Sequence, residues 1–591
     1  MKSNKHLFFF KCSVIVAVIL TLASLSYAES ESLSIAIDGL SSELLKNTES
    51  VLKLPENIIK DGKIDMVWLR RFIRQVPQKV SGALQPLGFY KSETTTSLDK
   101  TGEGSYVIHV SVKAGEPILI KATNIVIDGP GESEGELKDI ISHLPFSEGD
   151  ILRHDKYELI KNRLHDKAIE LGYLDSDFST HVIDITLSSL SAYIKLVFRT
   201  GPKYHFGDVT FVGAQIYPVR FLKRYLDFKP GDVFSYAKIA KTQYNLVGAD
   251  RFKEVIVNPK KEDAQKDSVP IEVKLVPSPP KRLRFGIGYG TDTGVRGTVK
   301  YQDVNFFNSG HQLSTELQAS QTLQGLAARY VFPDEKDFRS FTAFTMGLQH
   351  EDVSDKTTNV FSLEGEHTRS FGIEQIGSLY VRLQKEHSTA GNERTNTFLM
   401  MPGIRYSDRK YDSIIHPTKG YYYDLEFRGA HKTIGSDSNF IQFITNAEIM
   451  VKLPARMSFL TRGRFGTSSI DGASEELPIS IRFFAGGSRS VRGYSYQSLG
   501  PTDKDGNVVG GKNMLVLNFE LERAIGDDWG VVAFYDSGNA FNKYTNMDLM
   551  QGAGMGIRYY TPIGSLNLDI ARQLNVSNPD FKVHFTIGIR I

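Results

Sequence analysis

The feature that most constrains the fold is a strict two-residue alternation of apolar and other side chains. It is cleanest in FKVHFTIGIRI, residues 581–591, where every second residue is apolar and the intervening ones are polar or glycine. Successive side chains of a β-strand point to opposite faces, so this pattern predicts a strand with one apolar face. A soluble β-sandwich alternates in the same way, but strict alternation over about 11 residues matches a tilted strand that crosses a membrane.

The same period recurs throughout the C-terminal half of the chain. It runs through RLRFGIGYG at 282–290, GYYYDLEFRG at 420–429 and NMLVLNFELER at 513–523. At about 20 residues for each strand and its connection, residues 281–591 have room for about 16 strands. Unpaired backbone groups are costly in lipid, so an even number of strands that closes on itself is expected. We therefore predict a transmembrane antiparallel β-barrel over 281–591, with inward-facing charged residues lining its lumen.

Upstream of the barrel, a strand that ends in glycine occurs three times. The three copies are IAIDG at 35–39, IVIDG at 125–129 and VTFVG at 209–213. After the second copy, Tyr157, Ile160, Leu164 and Ala168 recur at helical spacing. These patterns predict three α+β repeats of the order β-α-α-β-β, at 29–115, 116–201 and 202–277. In the first repeat, Pro77 is expected to break or kink the long helix.

Residues 1–28 have the composition of a secretory signal peptide. Lysines precede an apolar run from Cys12 to Leu25, and small residues around Ala28 offer a cleavage site. A membrane anchor is the alternative, but the run is shorter than the roughly 20 residues of a spanning helix. Cys12 is the only cysteine, so the expected mature chain has no disulfide, cysteine-bound zinc or cysteine nucleophile.

Charge and motifs argue against nucleic-acid binding and against catalysis. Lysine plus arginine (70) nearly equals aspartate plus glutamate (68), which does not favour a nucleic acid as a partner. The sequence contains no H-E-x-x-H, G-x-S-x-G or Walker motif. The glycine triplets GIGYG at 286–290 and GAGMG at 552–556 lack the dinucleotide pattern and are expected where the wall bends or is closely approached. We therefore expect no enzyme activity and no cofactor.

The loop GGSRSVRGYSYQSLGP at 486–501 is rich in glycine and carries Arg492. Loops of a membrane barrel can fold back into the lumen, where a lone buried charge is expensive and a hydrogen-bonded pair is tolerated. Asp536, in FYDSGNAF, has the parity of an inward-facing residue, and Glu520, in NFELER, is the second candidate partner. The alternative, a solvated arginine in a flexible external loop, stays open on these grounds alone.

Four features together resemble the superfamily of POTRA-bearing outer-membrane assembly and secretion barrels. They are VRGY at 491–494, FYDSGNAF at 534–541, HPTKGYYYDLEF at 416–427 and the N-terminal repeats, whose number of three is most like the TamA branch. The resemblance implies that Val491, Arg492, Gly493 and Tyr494 form the tip of a lid loop inside the barrel. It implies that Arg492 contacts Asp536 and Glu520, that Gly493 permits the tight backbone and that Tyr494 packs the tip.

The same resemblance implies a weak lateral seam between the first and last barrel strands. The pairing is expected between residues 282–291 and 581–591. The expected seam residues are Phe285, Gly286, Ile287, Gly288, Phe585, Ile587, Gly588 and Ile589. Members of the superfamily commonly end in an aromatic residue, whereas Ile591 stands at that position here.

The function implied by the resemblance is that of a non-enzymatic insertase or translocase in a Gram-negative outer membrane, with periplasmic POTRA domains. Its clients would be unfolded β-rich outer-membrane proteins such as autotransporters, the seam would open into the bilayer, and a TamB-like protein anchored in the inner membrane would be its partner. One rival is a two-partner-type secretion pore that passes an exoprotein through the lumen. Another is a surface enzyme or adhesin displayed on a barrel.

Overall fold

The computed structural model describes residues 31–60, 62–335, 337–353, 356–372, 374–390, 393–413, 417–470, 476–562 and 564–588. The predicted signal peptide, His416 and Ile589 lie outside the described residues. The chain divides into two compact units. The first comprises residues 1–208, 228–239 and 259–271, and the second comprises 209–227, 240–258 and 272–591.

Three α+β segments precede the barrel, each with a three-stranded sheet. The first contains β1 (Ser32–Asp38), α1 (Ser42–Val51), β2 (Ile59–Lys60), β3 (Lys63–Ile64), α2 (Met66–Leu84), β4 (Glu93–Gly102) and β5 (Ser105–Lys113). The second contains β6 (Leu119–Asp128), α3 (Gly135–Ser142), α4 (His154–Glu170), β7 (Asp177–Thr186) and β8 (Ser191–Arg199). The third contains β9 (His205–Val212), α5 (Val219–Lys223), α6 (Tyr236–Gly248), β10 (Phe252–Pro259) and β11 (Ser268–Pro277).

The three sheets share one arrangement, in which the last strand lies in the centre. Their orders are β1-β5-β4, β6-β8-β7 and β10-β11-β9. In the first two sheets the opening strand pairs parallel to the last strand, and the strand between them in sequence pairs antiparallel to it. The β-α-α-β-β order is observed, with the small hairpin β2-β3 inserted between the two helices of the first repeat.

Helix α2 corrects the expectation for Pro77, because it runs unbroken from Met66 to Leu84 with Pro77 inside it. Asp65 caps its first turn by accepting from the N–H groups of Val67 and Trp68. The helix buries a continuous apolar stripe against the sheet: Leu69, Phe72, Val76, Val80 and Leu84. This burial offsets the hydrogen bond that proline removes, which is why the helix continues. In the second repeat, α4 buries the predicted residues Tyr157, Ile160, Leu164 and Ala168.

Two ion-pair clusters join the second α+β segment to the beginning of the third and to the connection between β10 and β11. Asp175 contacts Lys261 and accepts a hydrogen bond from Tyr204 Oη at 2.6 Å. Glu134 lies 2.7 Å from Lys203 Nζ and accepts from Tyr173 Oη at 2.9 Å. Hydrogen bonds from the lysines lower the pKa of Asp175 and of Glu134 below the ordinary range, and they do so more than the hydrogen bonds from the tyrosines. The hydrogen bond to Asp175 is the main cause that raises the pKa of Tyr204 to about 12. Burial is the main cause that raises the pKa of Tyr173 to about 12.

The described residues from Lys281 onward form a closed barrel of 16 strands, each paired antiparallel to its neighbours in sequence. The strands are β12 (Lys281–Gly290), β13 (Gly294–Phe306), β14 (His311–Ser320), β15 (Leu323–Pro333), β16 (Phe341–Val353), β17 (Lys356–Ser370), β18 (Gln375–Ala390), β19 (Glu393–Tyr411), β20 (Gly420–Ala430), β21 (Phe440–Leu453), β22 (Met457–Ile470), β23 (Asn513–Ile525), β24 (Trp529–Phe541), β25 (Met550–Thr561), β26 (Gly564–Gln573) and β27 (Phe581–Gly588). The barrel behind α+β domains confirms the predicted fold class and strand number.

The two faces of the wall carry the alternation seen in the sequence. On β12 the exposed apolar residues are Leu283, Phe285, Ile287 and Tyr289. On the inward face, buried acidic and basic residues such as Glu364, Asp536 and Arg558 meet in the lumen. No helix among the described residues is long and apolar enough to cross a membrane.

Because the strands alternate in direction, the connections fall into two sets at opposite ends of the barrel. The end at which β12 begins is called the entry end, and it includes the turn 307–310 and the connection between β19 and β20. The end that holds the connection 471–512, between β22 and β23, is called the lid end. The long lid-end connection contains the glycine-rich loop singled out in the sequence.

Candidate functional site

The loop 476–512, called the lid, folds back into the lumen. Val491, Arg492, Gly493 and Tyr494 are all buried, with Val491 at 0% and Arg492 at 2% exposure. Gly493 has φ +97°, in the left-handed region that residues with a side chain rarely adopt. The solvated arginine considered as an alternative is therefore not what the structure shows.

The structure brings Arg492 against both predicted acids. Its Nε donates to Asp536 Oδ2 at 2.7 Å and its Nη2 donates to Asp536 Oδ1 at 2.8 Å, which is a bidentate pair. The backbone N–H of Arg492 also donates to Asp536, at 3.1 Å. Nη2 lies 3.0 Å from Glu520 Oε1. The guanidinium carbon sits 3.5 Å from the centre of the Phe534 ring, so the cation is held by both charge and an aromatic face.

A third acid, Asp569 on β26, completes the cluster and was missed by sequence reasoning. It accepts from Arg492 Nη1 at 3.3 Å and also contacts Arg558 of β25. Arg462 of β22 contacts Glu520. Three carboxylates and three guanidiniums thus neutralise each other in the lumen. The parity of LNLDIA, with Leu566, Leu568 and Ile570 pointing outward, was the available signal for Asp569.

Gly493 and Tyr494 connect the lid tip to the last strands of the barrel. The Gly493 N–H donates to His584 Nε2 of β27 at 3.1 Å, and its carbonyl accepts from Gln573 Nε2 at 2.9 Å. Tyr494 packs with Val491 in a small apolar cluster, together with Ala485, Leu499 and Val516. His584, which is 3% exposed, was not among the residues that the sequence suggested.

The glycines of β25 leave room for this arrangement. A Cβ added at Gly552 would overlap the carbonyl oxygen of Arg492, and one at Gly556 would overlap Asp569 Oδ1. The triplet GAGMG was expected to mark a close approach to the wall, and the structure shows the lid tip as the group that approaches Gly552.

Three further contacts hold the lid away from its tip. Glu386 of β18, which is fully buried, accepts from the Ser480 N–H at 3.3 Å and from its hydroxyl group. Lys356 of β17 donates to Gln497 Oε1 at 3.0 Å. The N–H of Ser488 donates to Asp292 at 2.6 Å. The lid is therefore fixed to several parts of the barrel wall.

The seam between β12 and β27 is nearly unpaired among the described residues. Gly290 and Thr586 form the one registered pair, and Thr291 N–H donates to the Phe585 carbonyl at 3.3 Å. By contrast, β26 and β27 share eight registered pairs. Among the described residues, the backbone pairing between the two strands thus lies at the lid end of β12.

The predicted seam residues occupy this edge, although those of β12 pair elsewhere. Phe285, Gly286, Ile287 and Gly288 pair with β13, and none pairs with a described residue of β27. Phe585, Ile587 and Gly588 pair with β26. The side chains of Phe285 and Ile287 are 72% and 88% exposed, as expected of the lipid-facing side of the wall.

A side chain of β13 reaches across the seam. Arg296 pairs with Gly288 in the ladder, and its Nη2 donates to the carbonyl of Ile587 on β27. A Cβ on Gly288 would lie 2.6 Å from Arg296 Nε, so only glycine leaves this path open. The seam is therefore closed at its lid end by backbone pairing and further along by one arginine.

Comparison with known proteins agrees with this architecture. A family model described as Omp85 superfamily domain matches residues 281–591. A model of POTRA domain TamA domain 1 matches residues 34–114, and a POTRA model described as surface antigen variable number repeat matches 204–278.

Similar sequences include outer membrane protein assembly factors named BamA. The chain is 26% identical over 434 residues to BamA of Nitratidesulfovibrio vulgaris, covering 68% of this chain and 53% of that protein. It is 19% identical over 576 residues to BamA of Neisseria meningitidis, covering 85% and 70%. The chain thus spans about half the length of the first of these relatives.

Solved structures share the fold. BamA from Haemophilus ducreyi lacking POTRA domains 1–3 aligns with TM-score 0.65 at 17% identity, covering 79% of this chain and 99% of that one. CdiB from Escherichia coli aligns with TM-score 0.50 at 14% identity, covering 93% and 99%. The family match over more than half of the sequence, on a 16-stranded barrel, shows that this chain belongs to the Omp85 superfamily.

Proposed function

We propose that this chain is a non-enzymatic insertase of the outer membrane that assists insertion or secretion of β-rich outer-membrane proteins such as autotransporters. The observation that carries the proposal is the seam, where one registered pair joins the described residues of β12 and β27 while the lid stays fixed in the lumen. A strand edge without partners can pair with the strand of another chain. The names of the BamA relatives, as outer membrane protein assembly factors, support the same function.

The position of the lid favours a lateral route over passage through the lumen. Arg492 is held by Asp536, Glu520 and Asp569, and separate contacts hold Ser480, Ser488 and Gln497. A polypeptide that crossed the lumen would have to displace this network. A client that paired at the seam would leave it in place, and the exposed apolar edge residues of β12 lie where the bilayer would thin.

A TamA-type assignment is the finer part of the proposal. It is supported by the match of residues 34–114 to the first POTRA domain of TamA. On this basis the α+β domains lie in the periplasm, receive unfolded clients and contact a TamB-like protein anchored in the inner membrane. Co-purification of such a partner with the full chain, and its loss when residues 34–114 are deleted, would test the assignment.

The seam is tested by locking it. Gly290→Cys with Thr586→Cys places a disulfide at the one registered pair, in a mature chain expected to lack other cysteines. Gly347→Cys with Ser362→Cys, at a registered pair between β16 and β17, is the matched control. Both proteins are reconstituted in liposomes, and folding of an unfolded eight-stranded outer-membrane barrel is followed under oxidising and reducing conditions.

The insertase proposal requires that the seam disulfide abolish folding, that reductant restore it, and that the control disulfide have no effect. If the locked seam folds the client as fast as the reduced protein, the lateral route is wrong. Large ion conductance in the locked protein would then favour the secretion pore.

A further inference from the structure

The lumen contains a cavity of about 680 Å³ beneath the lid tip. Ser488 and Arg489 of the lid line one part, and Ser413 and Pro417 at the entry end line another. The cavity therefore extends from the lid tip toward the entry end. Its remaining wall comes mainly from strands β19 to β22 and from the last strands of the barrel.

The charges around this cavity are unevenly matched. Six arginines line it: Arg409, Arg462, Arg464, Arg489, Arg492 and Arg558. Five acids also line the cavity, and four of them form ion pairs with four of these arginines. Glu374 contacts Arg409, and Glu448 and Glu520 contact Arg462. Glu520 and Asp569 each contact both Arg492 and Arg558. The fifth, Asp424, accepts instead from Tyr422 at 2.8 Å and from Asn446 at 3.1 Å.

Arg464 and Arg489 are the two lining arginines that are not in these ion pairs. Within the part of the chain that the structure describes, neither guanidinium has a hydrogen bond or an ion pair, and both side chains are exposed to the cavity. Two positive charges, those of Arg296 and Arg462, lie close enough to Arg489 to repel it. Arg464 is affected by Arg462 and Arg489 as well as by Asp424. Two cations without a carboxylate partner among the described residues thus face one cavity.

Such a space favours an anion. Neighbouring like charges repel, and a guanidinium offers a planar fork of donors that fits the two oxygens of a carboxylate or phosphate. The lining residues are mostly polar and form no apolar groove for acyl chains, which disfavours a lipid headgroup as the source of the anion.

We propose that the cavity is an oxyanion-binding site, in which Arg464 and Arg489 together hold a carboxylate or phosphate group that enters from the entry end. The Arg492 cluster lines the same cavity, but its charges already balance, so the anion is assigned to Arg464 and Arg489. It does not depend on the insertase function, because an anion would bind here whether clients leave by the seam or through the lumen.

The test is isothermal titration of the full chain in detergent, at constant ionic strength with chloride as the balancing anion. One arm uses inorganic phosphate, and the other uses a short acidic peptide with a free C-terminal carboxylate beside its amidated form. The variant Arg464→Gln/Arg489→Gln removes both free cations. Arg456→Gln, at an exposed turn where Arg456 pairs with Asp527 at 3.0 Å, is the control.

The site requires that phosphate or the acidic peptide bind saturably, at least tenfold more weakly in the double variant, and equally well in Arg456→Gln. Binding of phosphate alone identifies a small inorganic anion, whereas tighter binding of the free-carboxylate peptide identifies a polypeptide source. No saturable binding of either ligand, or equal binding by the double variant, would overturn the proposal. Seam-locking experiments report on function separately, so the two proposals can fail independently.

Discussion

Arg492 is surrounded by Asp536, Glu520 and Asp569 and is almost fully buried. Its removal would leave three carboxylates in a desolvated site with two of the three guanidiniums of the cluster, those of Arg462 and Arg558. Breaking a buried ion pair by removing one partner costs about 3–5 kcal/mol. The charge of this residue, and not its size, is what the site needs.

We therefore expect Arg492→Met to destabilise the lid by about 3–5 kcal/mol and Arg492→Lys by less, because lysine keeps the charge but loses the bidentate geometry. The measurement is the rate at which a protease cleaves within 476–512 of the reconstituted protein. Arg489→Met, three positions earlier in the same lid and without a carboxylate partner, is the matched control in phosphate-free buffer. Equal cleavage of the Arg492→Met and Arg489→Met proteins would contradict the role assigned to the cluster.

His584 offers a second prediction at this scale, because its Nε2 accepts the N–H of buried Gly493. His584→Phe leaves that N–H without an acceptor, which costs about 1–3 kcal/mol. His584→Gln retains an acceptor oxygen on a side chain of similar reach. We expect the melting temperature of the Phe variant to fall clearly below that of the Gln variant. Coinciding melting curves would show that the bond does not stabilise the fold.

At the scale of elements, the unusual pair of strands is β12 and β27. Beyond the pair Gly290 and Thr586, the described contacts across this edge include Arg296, which donates to the Ile587 carbonyl from β13. Because Gly288 has no side chain, the arginine passes over β12 to reach β27. The second strand of the barrel, β13, thus helps to hold the last strand, β27, in place.

We expect Arg296→Gln to increase hydrogen–deuterium exchange of the amides of 581–588 by about tenfold, since a charge-assisted hydrogen bond contributes about 1.5–3 kcal/mol. Lys300→Gln is the control, because Lys300 lies on the same strand but pairs with Glu316 of β14, away from the seam, at 3.3 Å. Unchanged exchange in Arg296→Gln, or the same increase in Lys300→Gln, would rule out a specific clasp.

At the scale of the whole molecule, the second and third α+β segments are joined by Asp175 and Glu134. Both carboxyl groups have a pKa below the ordinary value of about 4 in the folded protein. Their contribution is therefore complete above the unfolded pKa and is lost as the pH falls through the lowered folded pKa. The tyrosines, with pKa values of about 12, do not ionise in this window.

The junction should accordingly stay rigid at neutral pH and loosen below about pH 4. Spin labels at Asn162→Cys and Gln265→Cys of the full chain would report this as a broadened distance distribution. Asp175→Asn with Glu134→Gln should show the broad distribution already at pH 7. A distribution that is narrow at all pH values in both proteins would show that these pairs do not hold the junction.

Much of this architecture could be predicted from residue patterns, and the exceptions have physical reasons. Alternation reports which face of a strand is apolar, so the barrel and the inward position of Asp536 followed from it. Asp569 satisfies the same rule, but many inward residues do, and only the barrel's closure brings β26 beside the lid. The prediction for Pro77 was wrong because the free energy that proline costs the helix locally is smaller than the free energy gained by burying the apolar stripe of α2. The register of the seam depends on how the first and last strands meet, which no local pattern encodes.

The number of backbone pairs between neighbouring strands differs around the barrel, and this difference determines where thermal motion opens the wall. Among the described residues, the seam has one registered pair, whereas each other pair of neighbouring barrel strands has at least eight. At about 1 kcal/mol net for each backbone hydrogen bond, the seven extra pairs contribute about 7 kcal/mol, which the Thr291 and Arg296 hydrogen bonds across the seam reduce to a difference of about 3–5 kcal/mol. Separation elsewhere is therefore roughly 10²- to 10³-fold less populated at 25 °C. Spontaneous breathing is thus concentrated at one place on the circumference. The junction of β12 and β27 is therefore where the wall opens most easily, even when no other molecule is bound.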